Sequence, residues 1–172
     1  QNSEMQTMKE TMMEKELEQK DKEIAQREGN TEVSSTQIKT FQGAWFKVKY
    51  PADFIAHGSM AANSSDEFDS ATFTSPDNTV EFYIYSPQWN GEAIDISLKS
   101  NETQGSSKHD DSKTRHVEWW TIEAKDKSYT RSYQKTTDKS SNTISIVGLK
   151  YKNQESYKKY KEQYLDFKAS LI

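Results

Sequence analysis

The chain has 172 residues, of which 32% are hydrophobic and 29% are charged, and its mean hydropathy is -1.05. This length is typical of one folded domain with an accessory segment. The net charge of -4 argues against nucleic-acid binding, which depends on a positive surface. The absence of cysteine excludes disulfides, thiolate nucleophiles and cysteine-ligated metal centres. No apolar run reaches the roughly 20 residues that span a bilayer.

The first 29 residues differ in composition from the rest of the chain. They are rich in Glu, Lys, Gln and Met and have no proline or glycine before Gly29, which predicts a long polar helix over residues 1–29. Its apolar residues keep no single heptad register, so the helix is either a solvated spacer or a segment that self-associates or pairs with another helix. Residues 30–37, rich in Ser, Thr and Asn, predict a linker. Because the chain opens at Gln1 within a polar segment, we expect a processed N-terminus, with a signal or a lipid anchor upstream.

All tryptophan, tyrosine and phenylalanine residues follow position 40, so we expect the hydrophobic core in a domain of residues 38–172. Residues 45–50 alternate apolar and polar side chains, which predicts a half-buried strand that Pro51 ends. Residues 69–75 and 79–85 predict a hairpin around a Pro-Asp-Asn turn.

The second half of the domain predicts further strands and a closing helix. Residues 91–113 are polar and predict a connection with a short helix over 92–100. Residues 113–124, 128–136 and 142–151 predict an antiparallel meander. Asn153 is a good N-cap for a helix whose aromatic stripe would cover the sheet, formed by Tyr157, Tyr160, Tyr164, Phe167 and Leu171. The predicted fold is α+β: an antiparallel sheet covered by a C-terminal amphipathic helix and preceded by a long N-terminal polar helix.

This order of elements, with FKVKYPADF at 46–54 and YKKYKEQYLDFKASL at 157–171, resembles the PsbP-like fold. That family includes extrinsic subunits of the photosynthetic oxygen-evolving complex, a Ran-binding nuclear-import factor and exported bacterial proteins of unassigned role. The resemblance covers residues 38–172 and leaves the first helix unexplained. It implies a protein-binding or assembly-supporting module without catalysis, and it transfers no functional residue.

Histidine and carboxylate residues cluster only at His109-Asp110-Asp111, close to Arg115 and His116. Oxygen and imidazole ligands suit manganese or zinc, but no ligand spacing such as HExxH organises these residues. We therefore interpret them as a solvated loop and predict no metal site and no cofactor. His57, expected in a loop, has no adjacent nucleophile motif, and no catalytic residue is predicted.

Aromatic residues are the strongest remaining signal, at 12% of a polar chain. The adjacent residues Trp119 and Trp120 would point to opposite faces of a strand, so one is expected in the core. The other could join an exposed platform for a sugar ring or an apolar patch of a partner, although ordinary packing is the simpler interpretation. The candidate binding residues are therefore Tyr83, Tyr85, Trp89, Trp119 and Trp120.

The leading functional hypothesis is a non-enzymatic, exported module for protein interaction or assembly, periplasmic or membrane-anchored as a lipoprotein. A protein partner is expected, and nucleic acid is not. The alternative is a domain that binds a small ligand or a carbohydrate through its aromatic surface.

Overall fold

The computed structural model describes residues 13–14, 37–60, 68–88 and 91–172. Of the predicted N-terminal helix it describes only Met13 and Glu14, which are helical, so that prediction and the linker of residues 30–36 lie outside the described residues. Gln37–Ile172 forms one compact unit. Among the described residues, no helix has the length and apolar composition needed to cross a membrane.

The unit contains two antiparallel sheets and one C-terminal helix. A two-stranded sheet pairs β1 with β2, and a seven-stranded sheet has the order β3-β4-β5-β9-β8-β7-β6. The strands are β1 (Ile38–Gln42), β2 (Lys47–Pro51), β3 (Ile55–Ser59), β4 (Ser70–Thr74), β5 (Val80–Tyr85), β6 (Glu102–Asp111), β7 (Arg115–Ala124), β8 (Thr130–Asp138) and β9 (Thr143–Tyr151). The helix α1 spans Gln154–Ala169.

The predicted α+β architecture, hairpin and meander are confirmed. β4 and β5 pair across a turn in which the Asp77 carboxylate accepts hydrogen bonds from Ser75 and Thr79. Asn78 adopts φ 59, a left-handed conformation that asparagine tolerates better than most residues. β7, β8 and β9 pair in sequence, so each predicted meander strand exists.

One face of the large sheet is covered by α1, as the aromatic stripe predicts. The Asn153 side chain accepts a hydrogen bond of 2.9 Å from the backbone of Ser156, which caps the helix. Tyr160 and Phe167 are 5% and 1% exposed, and the Phe167 ring lies 5.1 Å from that of Phe82 on β5. We call this side, which also packs against β1 and β2, the helix-covered face.

Three strands, β1, β3 and β6, were not predicted from the sequence. β3 and β6 form the two edges of the large sheet, and β1 belongs to the two-stranded sheet. β6 occupies part of the polar segment expected as a connection, and β3 contains His57, which was expected in a loop. Both are edge strands whose side chains are mostly exposed, and β1 is likewise mostly exposed. Their backbone hydrogen bonds hold them in place, so they need no apolar alternation.

Candidate binding cleft

The second face of the large sheet carries a separate hydrophobic cluster that α1 does not reach. Because side chains alternate along a strand, the odd-numbered tyrosines of β5 point away from the helix-covered face. They pack with residues of β7, β8 and β9 and with Ile96 of the β5–β6 connection. The cluster consists of Tyr83, Tyr85, Ile96, Ile122, Tyr133, Ile144 and Ile146. We call this side the open face.

The β5–β6 connection lies over the open face and is fastened by a buried ion pair. Arg131 of β8 and Glu102 of β6 are each 4% exposed and join through bonds of 2.6 and 2.8 Å. The same guanidinium donates to the carbonyl oxygens of Ile96 and Ser97 at 2.9 and 3.0 Å. The Arg131 hydrogen bonds lower the pKa of Glu102 to about 2. One side chain therefore ties the connection, β6 and β8 together.

A second contact anchors the connection at its short helix. The Tyr83 hydroxyl donates a 2.8 Å hydrogen bond to the Asp95 carboxylate. Burial raises the pKa of both groups, because each loses the water that would stabilise its charged form. Asp95 belongs to a single 3-10 turn, Ile94–Ile96, which is all that forms of the helix predicted over residues 92–100. Two apolar side chains of this segment are exposed to solvent: Ile94, within the turn, is 63% exposed, and Leu98, just after it, is 51% exposed.

A cleft of about 490 Å³ separates residues 91–98 of this connection from β6, β7, β8 and β9. Its floor includes Trp120, whose ring lies 5.5 Å from that of Tyr133 at an angle of 31°. Ile122 and Ile146 extend the apolar part of the lining. Polar and charged lining is supplied by Glu92, Gln104, Ser107, Lys108, His109, Glu118 and Lys135.

A hydrogen-bonded group of charges borders the cleft at the β6–β7 end. The two ring nitrogens of His116 lie 3.3 Å from Asp111 Oδ1 and 3.3 Å from Glu118 Oε1. Lys139 contacts Asp111 at 2.6 Å, and this contact lowers the pKa of the Asp111 carboxyl. The His109 ring lies 5.9 Å from that of His116. Glu118 is thus held toward His116.

The histidine and carboxylate cluster noted in the sequence lies on the paired strands β6 and β7 and not in a loop. Pairing places Asp111 opposite His116 and His109 opposite Glu118, with Arg115 at the start of β7. Within the described part of the chain, no set of three or more histidine, aspartate or glutamate residues is arranged to hold a metal ion. The arrangement supports hydrogen bonding within the hairpin.

The structure brings together only some of the aromatic residues proposed from the sequence. Tyr83 and Tyr85 are 5% and 0% exposed and belong to the core of the open face, so neither ring forms an exposed platform. The β5–β6 connection buries them, which strand alternation could not reveal. Within the described structure the Tyr85 hydroxyl has no hydrogen-bond partner, and a Cβ on Gly91 would lie 2.8 Å from it. Trp89 lies outside the described residues.

Trp119 and Trp120 lie on opposite faces, as alternation predicts. Both residues contribute to the lining of the cleft. The Trp120 ring packs beside Tyr133 on the open face, whereas alternation turns the Trp119 side chain the other way, where the Lys108 ammonium group lies 5.2 Å from its ring centre. Both are partly buried.

Sequence reasoning missed the charged residues of the cleft. Glu118 shares its strand face with Trp120, and Lys135 shares its face with Tyr133, so alternation could have placed both beside the aromatic floor. The exposure of Ile94 and Leu98 could not be predicted from strand alternation. It depends on the hydrogen bonds from Arg131 and Tyr83 that hold the β5–β6 connection in place.

Comparisons with known proteins identify the fold. No protein-family model matches the sequence, and no curated protein matches it. The solution structure of cyanobacterial PsbP (CyanoP) from Synechocystis is similar over 83% of this chain and 95% of that chain, with a TM-score of 0.51 and 8% identity. The Saccharomyces cerevisiae Ran-binding protein Mog1p aligns over 80% of this chain and 96% of its own, with a TM-score of 0.42 and 7% identity. On the strength of the CyanoP similarity, the chain has the PsbP-like fold.

Proposed function

We propose that this chain is a non-enzymatic module for protein interaction or assembly and that the cleft on the open face receives its partner. The observation that carries this proposal is the exposure of Ile94 and Leu98 beside a cleft whose floor contains Trp120. An apolar rim next to a partly exposed tryptophan is typical of protein contact surfaces, where aromatic residues supply much of the binding energy.

Rigidity of the cleft wall supports the same function. The Arg131 bonds to Ile96 and Ser97 and the bond between Tyr83 and Asp95 fix the wall before any partner arrives. A preformed surface loses less conformational entropy on binding than a mobile one, so more of the contact energy remains as affinity. The resemblance to the PsbP-like family also implies a binding module.

Site-specific photocrosslinking in the native host tests the proposal. A photoreactive amino acid replacing Leu98 is expected to capture a defined partner, whereas the same amino acid replacing Ile55 on β3 is the control. Ile55 is 59% exposed but lies on the opposite edge strand of the sheet. Adding Trp120→Ala should abolish capture at Leu98. Trp45→Ala, at an exposed tryptophan between β1 and β2 and outside the cleft lining, should leave capture intact. Equal capture at both positions, insensitive to Trp120, would refute the cleft as the partner surface.

A carbohydrate ligand is the second candidate, favoured by the polar groups that surround Trp120. Tryptophan stacks on sugar rings, and the nearby side chains of Ser107, His109 and Glu118 can hydrogen-bond hydroxyl groups. A glycan array, followed by titration of any hit against wild type and Trp120→Ala, distinguishes this function. Saturable binding that depends on Trp120 would favour it over a protein partner.

We also propose that the module is exported and that residues 1–29 separate it from a membrane anchor or pair with another helix. The exported members of the PsbP-like family and the polar helical composition of this segment support the proposal. Fractionation of the native host and intact-mass measurement of the mature protein test the location and the lipid. Analytical ultracentrifugation with and without residues 1–30 tests self-association, since loss of a pairing helix would lower the assembly state.

A further inference from the structure

Lys135 places a positive charge on the floor of the cleft. It follows Tyr133 by two residues and Arg131 by four along β8, so its side chain lies on the same open face as theirs. The Lys135 residue is partly buried. Strand pairing sets it opposite Glu118 on β7 and Ile146 on β9. Glu118, its natural cross-strand partner, instead contacts His116 at 3.3 Å. With the described residues, Lys135 forms no ion pair and no side-chain hydrogen bond.

An ammonium group that has no ion-pair partner among the described residues, and that lies in a partly enclosed cleft, favours an anionic ligand. Water screens the charge less here than on an open surface, so an added carboxylate gains more from the contact. The second and third charges of a polyanion would meet Glu92 and Glu118, which line the same cleft. The other ammonium group in the lining, that of Lys108, already lies over the Trp119 ring, 5.2 Å from its centre. The lining therefore selects a ligand with a single negative charge.

Apolar groups close to Lys135 define the rest of the ligand. Cross-strand neighbours have Cβ atoms about 5 Å apart, and residues two apart along a strand are separated by roughly 7 Å. Ile146 is the cross-strand neighbour of Lys135 on β9. Tyr133, whose ring packs against Trp120, lies two residues before Lys135 on the same strand. A ligand that satisfies both features carries its carboxylate within a few ångströms of an apolar side chain. A C-terminal apolar residue has both groups on one Cα.

We propose that the cleft binds the C-terminal carboxylate of a partner polypeptide whose last side chain is apolar, with Lys135 as the anion-binding residue. Trp120 and Ile146 contact the terminal side chain, and Ile94 and Leu98 contact the residues before it. This assignment rests on the proposed function, because it names the part of the partner that the same cleft recognises.

Fluorescence anisotropy with short peptides tests the assignment. The probe is a labelled pool of Gly-Ser-Gly-Ser-X pentapeptides, with Leu, Ile, Val, Phe or Met as X, prepared with a free C-terminal carboxylate and, as the matched control, with a C-terminal amide. The acid pool is expected to bind about tenfold more tightly than the amide pool, since one charge-assisted hydrogen bond is lost with the amide. Lys135→Met, which retains the apolar stem, should abolish that difference and leave amide binding unchanged.

The control variant is Lys125→Met, in the exposed β7–β8 turn, which should bind both pools as wild type does. Circular dichroism melts of both variants verify folding, and an unfolded Lys135→Met would be replaced by Lys135→Gln. Equal affinity for acid and amide pools, or no binding of either pool, overturns the assignment. So does N-acetyl-leucine binding as tightly as the pentapeptide acid, which would identify a small-molecule site. If these results occur while capture at Leu98 still depends on Trp120, the interaction function stands without the carboxylate.

Discussion

Replacing Arg131 by methionine should destabilise the protein strongly, because it removes the charge that neutralises a buried carboxylate. The Glu102 side chain is 0% exposed and that of Arg131 is 5% exposed. Methionine retains much of the apolar stem of arginine, so the loss reports on the guanidinium group. Breaking a buried pair by removing one partner costs about 3–5 kcal/mol, and we expect a loss of unfolding free energy in this range at neutral pH.

The pH dependence gives an independent magnitude. Hydrogen bonds from Arg131 above all, with others from Tyr129 and the Lys99 backbone, lower the pKa of Glu102 from 4.5 to about 2. A depressed folded-state pKa stabilises the protein above the unfolded-state value. The difference between the two values corresponds to about 3 kcal/mol, which is present at neutral pH and lost as the pH falls from 4.5 to 2. In Arg131→Met the unpaired Glu102 is protonated more readily. The difference in stability between wild type and variant should therefore shrink over this range.

A double variant separates the cost of an unpaired charge from the loss of other contacts. Glu102→Leu with Arg131→Met removes both charges, so it should recover roughly half of the lost stability. Recovery is incomplete because the carbonyl groups of Ile96 and Ser97 lose their donor, and the Tyr129 hydroxyl and the Lys99 amide lose their acceptor. Urea unfolding, followed by circular dichroism at neutral pH and at about pH 3, measures all of these quantities.

Arg115→Met is the control, because Arg115 is exposed on β7. It should change stability by less than about 0.5 kcal/mol. A cost below about 1 kcal/mol for Arg131→Met, or a double variant no more stable than Arg131→Met alone, would show that Glu102 does not depend on the Arg131 charge. A pH-independent difference between wild type and Arg131→Met would refute the linkage argument specifically.

Three further substitutions test other parts of the fold by urea unfolding. Gly148→Ala should cost about 1–3 kcal/mol, because its Cβ would lie 2.2 Å from the buried ring of Tyr133; a neutral result would show that the ring can move. Asn153→Ala should cost about 1 kcal/mol by removing the cap on Ser156, whereas Asn153→Ser should retain most of it. Lys127→Gly should be neutral or stabilise by up to about 1 kcal/mol, since Lys127 has φ 65; a clear loss would contradict the strain argument.

Alternation and spacing anticipated the elements that bury one clear side. β5 shows this best: its even-numbered residues Val80, Phe82 and Ile84 face α1, as their pattern predicts. The stripe on α1 behaves likewise, with Tyr160 and Phe167 in the core. Such patterns are readable because a half-buried element must repeat its apolar side chains at its own period.

The cleft was less predictable, because its parts come from segments that carry no periodic signal. β6 contributes His109 and Ser107 from a polar edge strand, and the connection contributes exposed Ile94 and Leu98. Alternation placed Tyr83 and Tyr85 on the open face, but only the connection above them determines that they are buried.

By itself, the sequence determined the α+β class, the meander, the capped C-terminal helix and the opposite faces of Trp119 and Trp120, because each depends on residues close together in the chain. Only the tertiary structure decided that Glu102 pairs with Arg131 and that Lys135 has no carboxylate partner among the described residues. Those outcomes depend on pairing between strands far apart in sequence, which local propensity does not encode. The cleft is therefore a product of strand register and of one buried ion pair.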